Sequence, residues 1–465
     1  MQLYHPDSAR ILRQHLGKPG PTLTLISGPP GVGKTALLRR ALQGRPALWL
    51  RGSELPAPLV AREHGRAADV AFGGGGDPSA GRDGSWARFG ESLRGGLSSG
   101  DRGDAVVVWD RADPLLADRR WREMLHAVWA DLRAHARSAH LILVARRPDP
   151  GDLLSVPGSS EGATLRLALA PLGLREATEA FGGWSAVDRL VAYGLLGGEP
   201  RFWDLLDPGV RLSTNLARLL LEPGAPLRDF SRWRYPIPGR TPGRALALLR
   251  VMADGAEEWG ELRERTGVFR TSSELGPYMK SLQEVGLVEA HRSLDAAPGS
   301  RGGRYRLVDP YLAFWSGVVH PLLAELDGGA SPQGIWRDRI RPRIPDLVSR
   351  RLPDLLLDHL RRHGSERLRA PAREVGALWG DGYDLPLAGT LSSGAAFYGA
   401  TSWEDPGPDA LERLAEAVRE TRYGYGRQIR LLLLFVVRDV SHDLERSVAR
   451  GSTSLLFRPR DLVGA

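Results

Sequence analysis

The sequence predicts an α/β protein that begins with a phosphate-loop nucleotide-binding domain and continues into a winged helix-turn-helix. Three observations predict this. First, SGPPGVGKTALL (27–38) fits the pattern G-x-x-x-x-G-K-[ST] between a β-prone run, TLTLIS, and a helix-forming run, KTALLRRAL. Second, VVVW (106–109) and LILV (141–144) are the short continuous apolar runs of buried parallel strands. Third, from residue 241 the periodicity changes to three short helices, an apolar strand, a basic Gly/Ser loop and a last strand, RYRLVD.

Strand, glycine loop and helix come in the order that a phosphate cradle needs. The backbone N–H groups of Gly28, Pro29, Pro30, Gly31, Val32, Gly33, Lys34, Thr35 and Ala36 (prolines excepted) and the helix N-terminus would receive phosphate charge. Lys34 would neutralise the β- and γ-phosphates, and the Thr35 hydroxyl would bind Mg²⁺. Lys18, Lys34 and Lys280 are the only lysines, so the chain otherwise carries positive charge on Arg, whose planar fork replaces a compact ammonium poorly here. ATP and Mg²⁺ are therefore the expected ligands.

Along the chain, PALWLRG (46–52) reads as a second strand and GRAADVAFGGGGDPSAGRDG (65–84) as a flexible Gly-rich insertion. SWARFGESLRGGL reads as a short amphipathic helix. In DAVVVWDRADPLL, Asp110 ends a buried strand beside the phosphate loop, where an acidic residue suits the Mg²⁺ site. The same residue also reads as a helix N-cap. Asp113 follows three residues later as a candidate catalytic carboxylate. WREMLHAVWADLRAHA (121–136) is a helix, HLILVARRPD (140–149) a strand, and ALAPLGLREATEAF (168–181) and AVDRLVAYGLLGGEPRFWDLL (186–206), which carries GGEPRF (197–202), are helical. There Arg201 is either a γ-phosphate sensor or a surface arginine after a helix-ending turn.

The winged helix would set Ser272, Ser273 and Lys280 toward a groove and offer Arg301 and Arg304 to DNA phosphates. Glu274 and Glu284 on the same helix keep open the alternative of a protein-docking module. The net charge of +8 points toward nucleic acid, yet an Arg-for-Lys bias with abundant Ala, Gly and Pro equally fits the codon usage of a GC-rich genome. The chain has no cysteine, so disulfides and thiol chemistry are excluded. The eleven histidines read as scattered, leaving no metal expected beyond nucleotide-bound Mg²⁺. No apolar run reaches about 18 residues, and the N-terminus lacks a signal-peptide layout, so a cytoplasmic protein away from membranes is expected.

VVVWD, LILVA, GGEP, YMKSLQEVGLVE and YRLVDPYLAFWSGVVHP (305–321) together resemble the archaeal-type ATPase family of the AAA/STAND group, which also occurs in bacteria. The resemblance implies an AAA-type ATPase domain with a helical lid (1–225), a winged helix domain (226–325) and a restriction-endonuclease-like domain (326–465). It also exposes departures. Hydrolytic relatives place Glu directly after the strand-ending Asp, where this chain has Arg111. They end the next strand on a small polar residue, where Ala145, Arg146 and Arg147 stand. The nuclease carboxylates and lysine are reduced to Asp384, with Leu352-Pro353, Ala400 and Ser402 in the other places. The implied function is an ATP-binding switch or scaffold with weak or absent hydrolysis and a degenerate nuclease domain, working with a protein partner. A DNA-associated motor or loader with Asp113 as base, and a DNA-binding regulator with structural nucleotide, are the alternatives.

Overall fold

The computed structural model describes residues 5–72, 85–98, 105–135, 138–146, 163–228, 242–297, 299, 302–427 and 429–464. The chain divides into two compact units, Met1–Pro171 with Glu199–Arg201, and Leu172–Gly198 with Phe202–Ala465. The helical segments on either side of GGEPRF, read from sequence with the nucleotide-binding domain, thus belong to the second unit.

The first unit is built on β1 (Thr22–Ser27), β2 (Ala47–Arg51), β3 (Ala105–Asp110), β4 (Ala139–Val144) and β5 (Thr164–Ala168), all parallel, in the order β2-β3-β4-β1-β5. Alternation along each strand feeds two cores. Val107 and Trp109 of β3 face helices Trp86–Ser98 and Arg119–Ala134, while Val106 and Val108 face helices Pro6–Leu16 and Lys34–Ala41. Trp109 meets Trp121 edge-on, with ring centroids 5.8 Å apart.

One sequence expectation is corrected here. Residues 65–72, read as part of a flexible insertion, complete helix Ala57–Phe72, whose buried face is Val60, Ala61, His64 and Ala68. Small alanines and Gly65 conceal that face from a periodicity count. The rest of that insertion, 73–84, lies outside the described residues. β5 has no counterpart among the sequence expectations. As an edge strand it is only half-buried, so it lacks the continuous apolar run of its neighbours.

In the second unit, helices Pro242–Ala253, Trp259–Thr266 and Ser272–Glu284 lead into an antiparallel hairpin of β6 (Val288–His291) and β7 (Arg304–Leu307). Asp309 then caps the next helix by accepting the Tyr311 N–H at 3.0 Å. The Tyr311 hydroxyl donates to Leu227 O, and Trp315 Nε1 donates to Arg228 O at 2.8 Å. These side chains of the DPYLAFW stretch are therefore structural anchors. Helix Leu352–Leu368 precedes β8 (Ala372–Gly380), β9 (Tyr383–Leu391), β10 (Ala396–Ser402), β11 (Arg430–Val436) and β12 (Ser454–Phe457). Their order is β12-β11-β10-β9-β8, an antiparallel meander joined through β10 to a parallel trio. Among the described residues no helix is long and apolar enough to cross a membrane.

Candidate nucleotide-binding site

β1 delivers the chain into the loop at Gly28, and helix Lys34–Ala41 leaves it. Gly28, Gly31 and Gly33 have φ of 145°, 82° and 92°, a region that side chains disfavour. Space is short as well. A Cβ at Gly28 would stand 2.2 Å from Leu169 O, and one at Gly31 would stand 2.2 Å from Glu199 Oε2. The loop is thus folded as a cradle that only these glycines permit. His5 Nε2 lies 2.9 Å from Val32 O, tying the start of the first helix to the loop.

Lys34 Nζ donates to Gly28 O at 2.6 Å and to Pro29 O at 2.7 Å. Burial lowers its pKa to about 8, opposed by the carboxylates of Asp113 and Asp110. Across the cradle the Thr35 hydroxyl donates to Asp110 Oδ2 at 3.4 Å, and the Arg111 N–H donates to Asp110 Oδ1 at 2.9 Å. This donor set suits a nucleoside triphosphate with Mg²⁺. Thr35 and Asp110 would hold the ion, and Lys34 with the loop N–H groups would hold the phosphates.

The end of β3 turns sharply. Arg111 sits at φ 54°, one of three non-glycine residues with positive φ among the described residues. The turn lets the Ala112 N–H reach Val144 O at 2.8 Å. It also brings Arg111 O so close to Gly52 that a Cβ there would stand 2.0 Å away. Asp113 then opens a short helix, and its Oδ1 and Oδ2 accept the Arg146 N–H at 2.9 and 3.1 Å. The carboxylate read as a candidate base therefore latches the end of β4. Ala145 is buried beside it, and Arg147 lies outside the described residues.

Arg201 reaches the loop, but not alone. Its Nε donates to Glu199 Oε2 at 2.9 Å and its Nη2 lies 2.8 Å from the same oxygen. Sequence reasoning missed Glu199. Its only signal was an acidic residue two positions before the candidate sensor.

Ser272 and Ser273 are exposed in the first turn of their helix, where Thr271 is the cap. Lys280 lies 3.9 Å from Glu284 on the next turn, and Arg301 lies outside the described residues. Arg304, expected to meet phosphate, instead donates to both oxygens of Asp384 at 3.1 and 2.8 Å and stacks 4.6 Å above Trp379. The loop after β6 is also engaged on the C-terminal sheet. Leu294 N donates to Ala377 O at 3.0 Å, and Asp295 Oδ2 accepts the Tyr383 hydroxyl at 2.6 Å.

Asp384, which the resemblance would make the remaining nuclease carboxylate, is thus paired with Arg304. Asp405 accepts the backbone N–H groups of Gly407 and Ser441 at 2.9 and 2.7 Å, a turn-capping role. His359 and His363 do stand one helical turn apart, a spacing that the reading of the histidines as scattered overlooks. Burial, aided by His363 and Arg175, brings the His359 pKa down to about 4. Its ring packs against Phe457, and His363 Nδ1 lies 3.4 Å from Glu366.

No family model matches the chain. An uncharacterized protein of Methanocaldococcus jannaschii is 26% identical over 171 residues, 35% of this chain and 36% of that protein. The match thus spans about a third of that relative's length. Among solved structures, a Walker-type ATPase of Pyrococcus abyssi gives a TM-score of 0.45 at 18% identity, covering 67% of this chain and 95% of that one. The ORC2 protein of Aeropyrum pernix, solved as ADPNP–ADP complexes, gives 0.43 at 17% identity, covering 69% and 92%. The ORC1 protein of the same organism, solved with DNA, gives 0.34 at 18% identity, covering 70% and 93%. All three scores lie below 0.5.

Proposed function

We propose that this chain is an ATP-binding protein of the P-loop type that retains its nucleotide with slow turnover and acts as a switch or scaffold. Three functional parts follow from this reading: the parallel-sheet nucleotide domain, a winged helix formed by the three helices and hairpin, and a restriction-endonuclease-like domain without nuclease chemistry. The lid and sensor role of GGEPRF, with Arg201 facing the γ-phosphate, belongs to the same proposal. A protein is the partner we favour over double-stranded DNA, because the hairpin's loop and Arg304 are already engaged on the C-terminal sheet.

One observation carries the reading of slow turnover. One bifurcated hydrogen bond from the Arg146 N–H fixes both oxygens of Asp113 against the end of β4, and Arg111 occupies the position after Asp110. Attack of water on the γ-phosphate needs a group that orients the water or takes its proton. A positioned carboxylate typically contributes about 10²–10⁴-fold, and a guanidinium cannot replace it. In the bound state Lys34 and the loop N–H groups would offset the phosphate charge, while Thr35 and Asp110 hold Mg²⁺. An ion held by Thr35 and Asp110 would supply positive charge to offset that of the phosphates.

Steady-state phosphate release by wild type, Arg111→Glu and Asp113→Ala tests this. Wild type should turn over well below about 1 s⁻¹, Arg111→Glu should be faster, and Asp113→Ala should leave the rate unchanged or destabilise the fold. Rapid wild-type release that collapses in a folded Asp113→Ala protein would make Asp113 the base and the chain a motor.

A further inference from the structure

We propose that Glu199 is an internal competitor of the γ-phosphate: it holds Arg201 on the phosphate loop until a triphosphate displaces it. The proposal rests on the reading of this loop as an ATP site and adds to it a residue that sets nucleotide preference. Pro200 lies between the two charged residues, and the Arg201 guanidinium closes back onto Glu199 Oε2 through Nε at 2.9 Å and Nη2 at 2.8 Å. The carboxylate is nearly withdrawn from water, with 8% of the side chain exposed, against 22% for Arg201.

The pair is pressed onto the cradle. A Cβ at Gly31 would meet Glu199 Oε2 at 2.2 Å, its Cδ at 2.8 Å and Arg201 Nε at 3.0 Å. A buried carboxylate is tolerated there because it is paired with an arginine and lies against a loop built for anions. The same features make it an obstacle to phosphate. A γ-phosphate approaching Arg201 offers the guanidinium another anionic acceptor in place of the single Glu199 oxygen it faces. Both anions cannot hold it at short range, since like charges in a poorly solvated site repel strongly. ATP must therefore detach Glu199 from Arg201, whereas ADP has no γ-phosphate and leaves the pair closed. Binding of the triphosphate becomes coupled to release of Glu199 from Arg201, which stays to meet the γ-phosphate, and preference for ATP over ADP is held down by Glu199.

The test is calorimetric titration of the full chain with Mg²⁺ and either a non-hydrolysable ATP analogue or ADP. Glu199→Gln keeps the shape and removes the charge. It should tighten the analogue by about tenfold, the scale of one charge-assisted hydrogen bond regained, and leave ADP within about twofold. Arg201→Gln in the same background should abolish that gain. Glu199→Ala is the second variant should Glu199→Gln not fold, with the same direction expected. Equal tightening of both nucleotides, or none of either, by a folded variant overturns the role of Glu199 while leaving the loop as a nucleotide site. No binding of either nucleotide by wild type or variants overturns the site itself, and this inference with it.

Discussion

Lys34 occupies a loop that both needs its charge and penalises it. Burial brings its pKa down to about 8, and Asp113 and Asp110 keep it from falling further. Bound phosphate would favour the ammonium, so a proton that Lys34 loses above pH 8 would be regained on binding. ATP affinity should therefore be flat below about pH 7 and weaken by up to tenfold per unit above pH 8. Calorimetry in two buffers of different ionisation enthalpy should show no proton uptake at pH 7 and nearly one proton at pH 9. A flat profile would mean that Lys34 does not face the phosphates. The stability sign is opposite. The unfolded chain keeps this proton to higher pH than the native one does. The penalty is thus fully present below pH 8 and fades as pH rises toward the ordinary lysine range. Gly31 gives a second residue-scale expectation. Its φ is 82°, and a methyl group added there would stand only 2.2 Å from Glu199 Oε2, so Gly31→Ala should displace the Glu199–Arg201 pair. A lowered melting temperature with weakened ATP binding would report it. The loop residues were legible in the sequence because their spacing fixes a local geometry. Glu199 was not, because its meaning comes from a contact with a loop far away in the chain.

At the scale of elements, the hairpin shows how pattern and placement separate. Three helices and two strands stand where the sequence pattern puts them. What their basic residues touch could not be read that way. Arg304 alternates with Tyr305 on β7 as a surface residue would, yet its partner is Asp384 on β9, and the pair leaves only 17% of Arg304 exposed. Asp384→Ala should therefore lower stability by about 1–2 kcal/mol, limited by the exposure of the carboxylate itself. A urea midpoint shift without a change in slope would show it. Wild type and variant alike should leave plasmid DNA intact in Mg²⁺ or Mn²⁺. Duplex DNA should bind weakly, with a shallow salt slope, because Lys280 shares its helix turn with Glu284. A steep slope that flattens in Lys280→Glu would return DNA as the partner. The misread helix and the strand without an expectation have the same cause. β5 and helix Ala57–Phe72 bury small or alternating side chains, so neither shows the apolar run or stripe that marks its neighbours.

At the scale of the whole molecule, the net charge of +8 says less than it first suggests. Arg201, Arg304 and Arg306 are each held by carboxylates in the fold, so charge count and available charge differ. The division into two compact units has a more direct consequence. Units with their own cores unfold as separate cooperative steps unless their interface is large. Scanning calorimetry should resolve two transitions, and only one should answer to nucleotide, because every residue of the proposed site lies in the first unit. Ligand at 100 times its dissociation constant stabilises the native state by about 2.7 kcal/mol. For a unit of this size that corresponds to an upward shift of about 5–10 °C. ATP with Mg²⁺ should move the responding transition by that amount, ADP by less, and Lys34→Ala should remove both responses while leaving the second transition in place. A single transition that moves as a whole would show that the units are coupled strongly enough for nucleotide to act on the entire chain, which is what a switch driving the C-terminal sheet requires. Two transitions with only one responding would instead favour a scaffold whose second unit works irrespective of nucleotide.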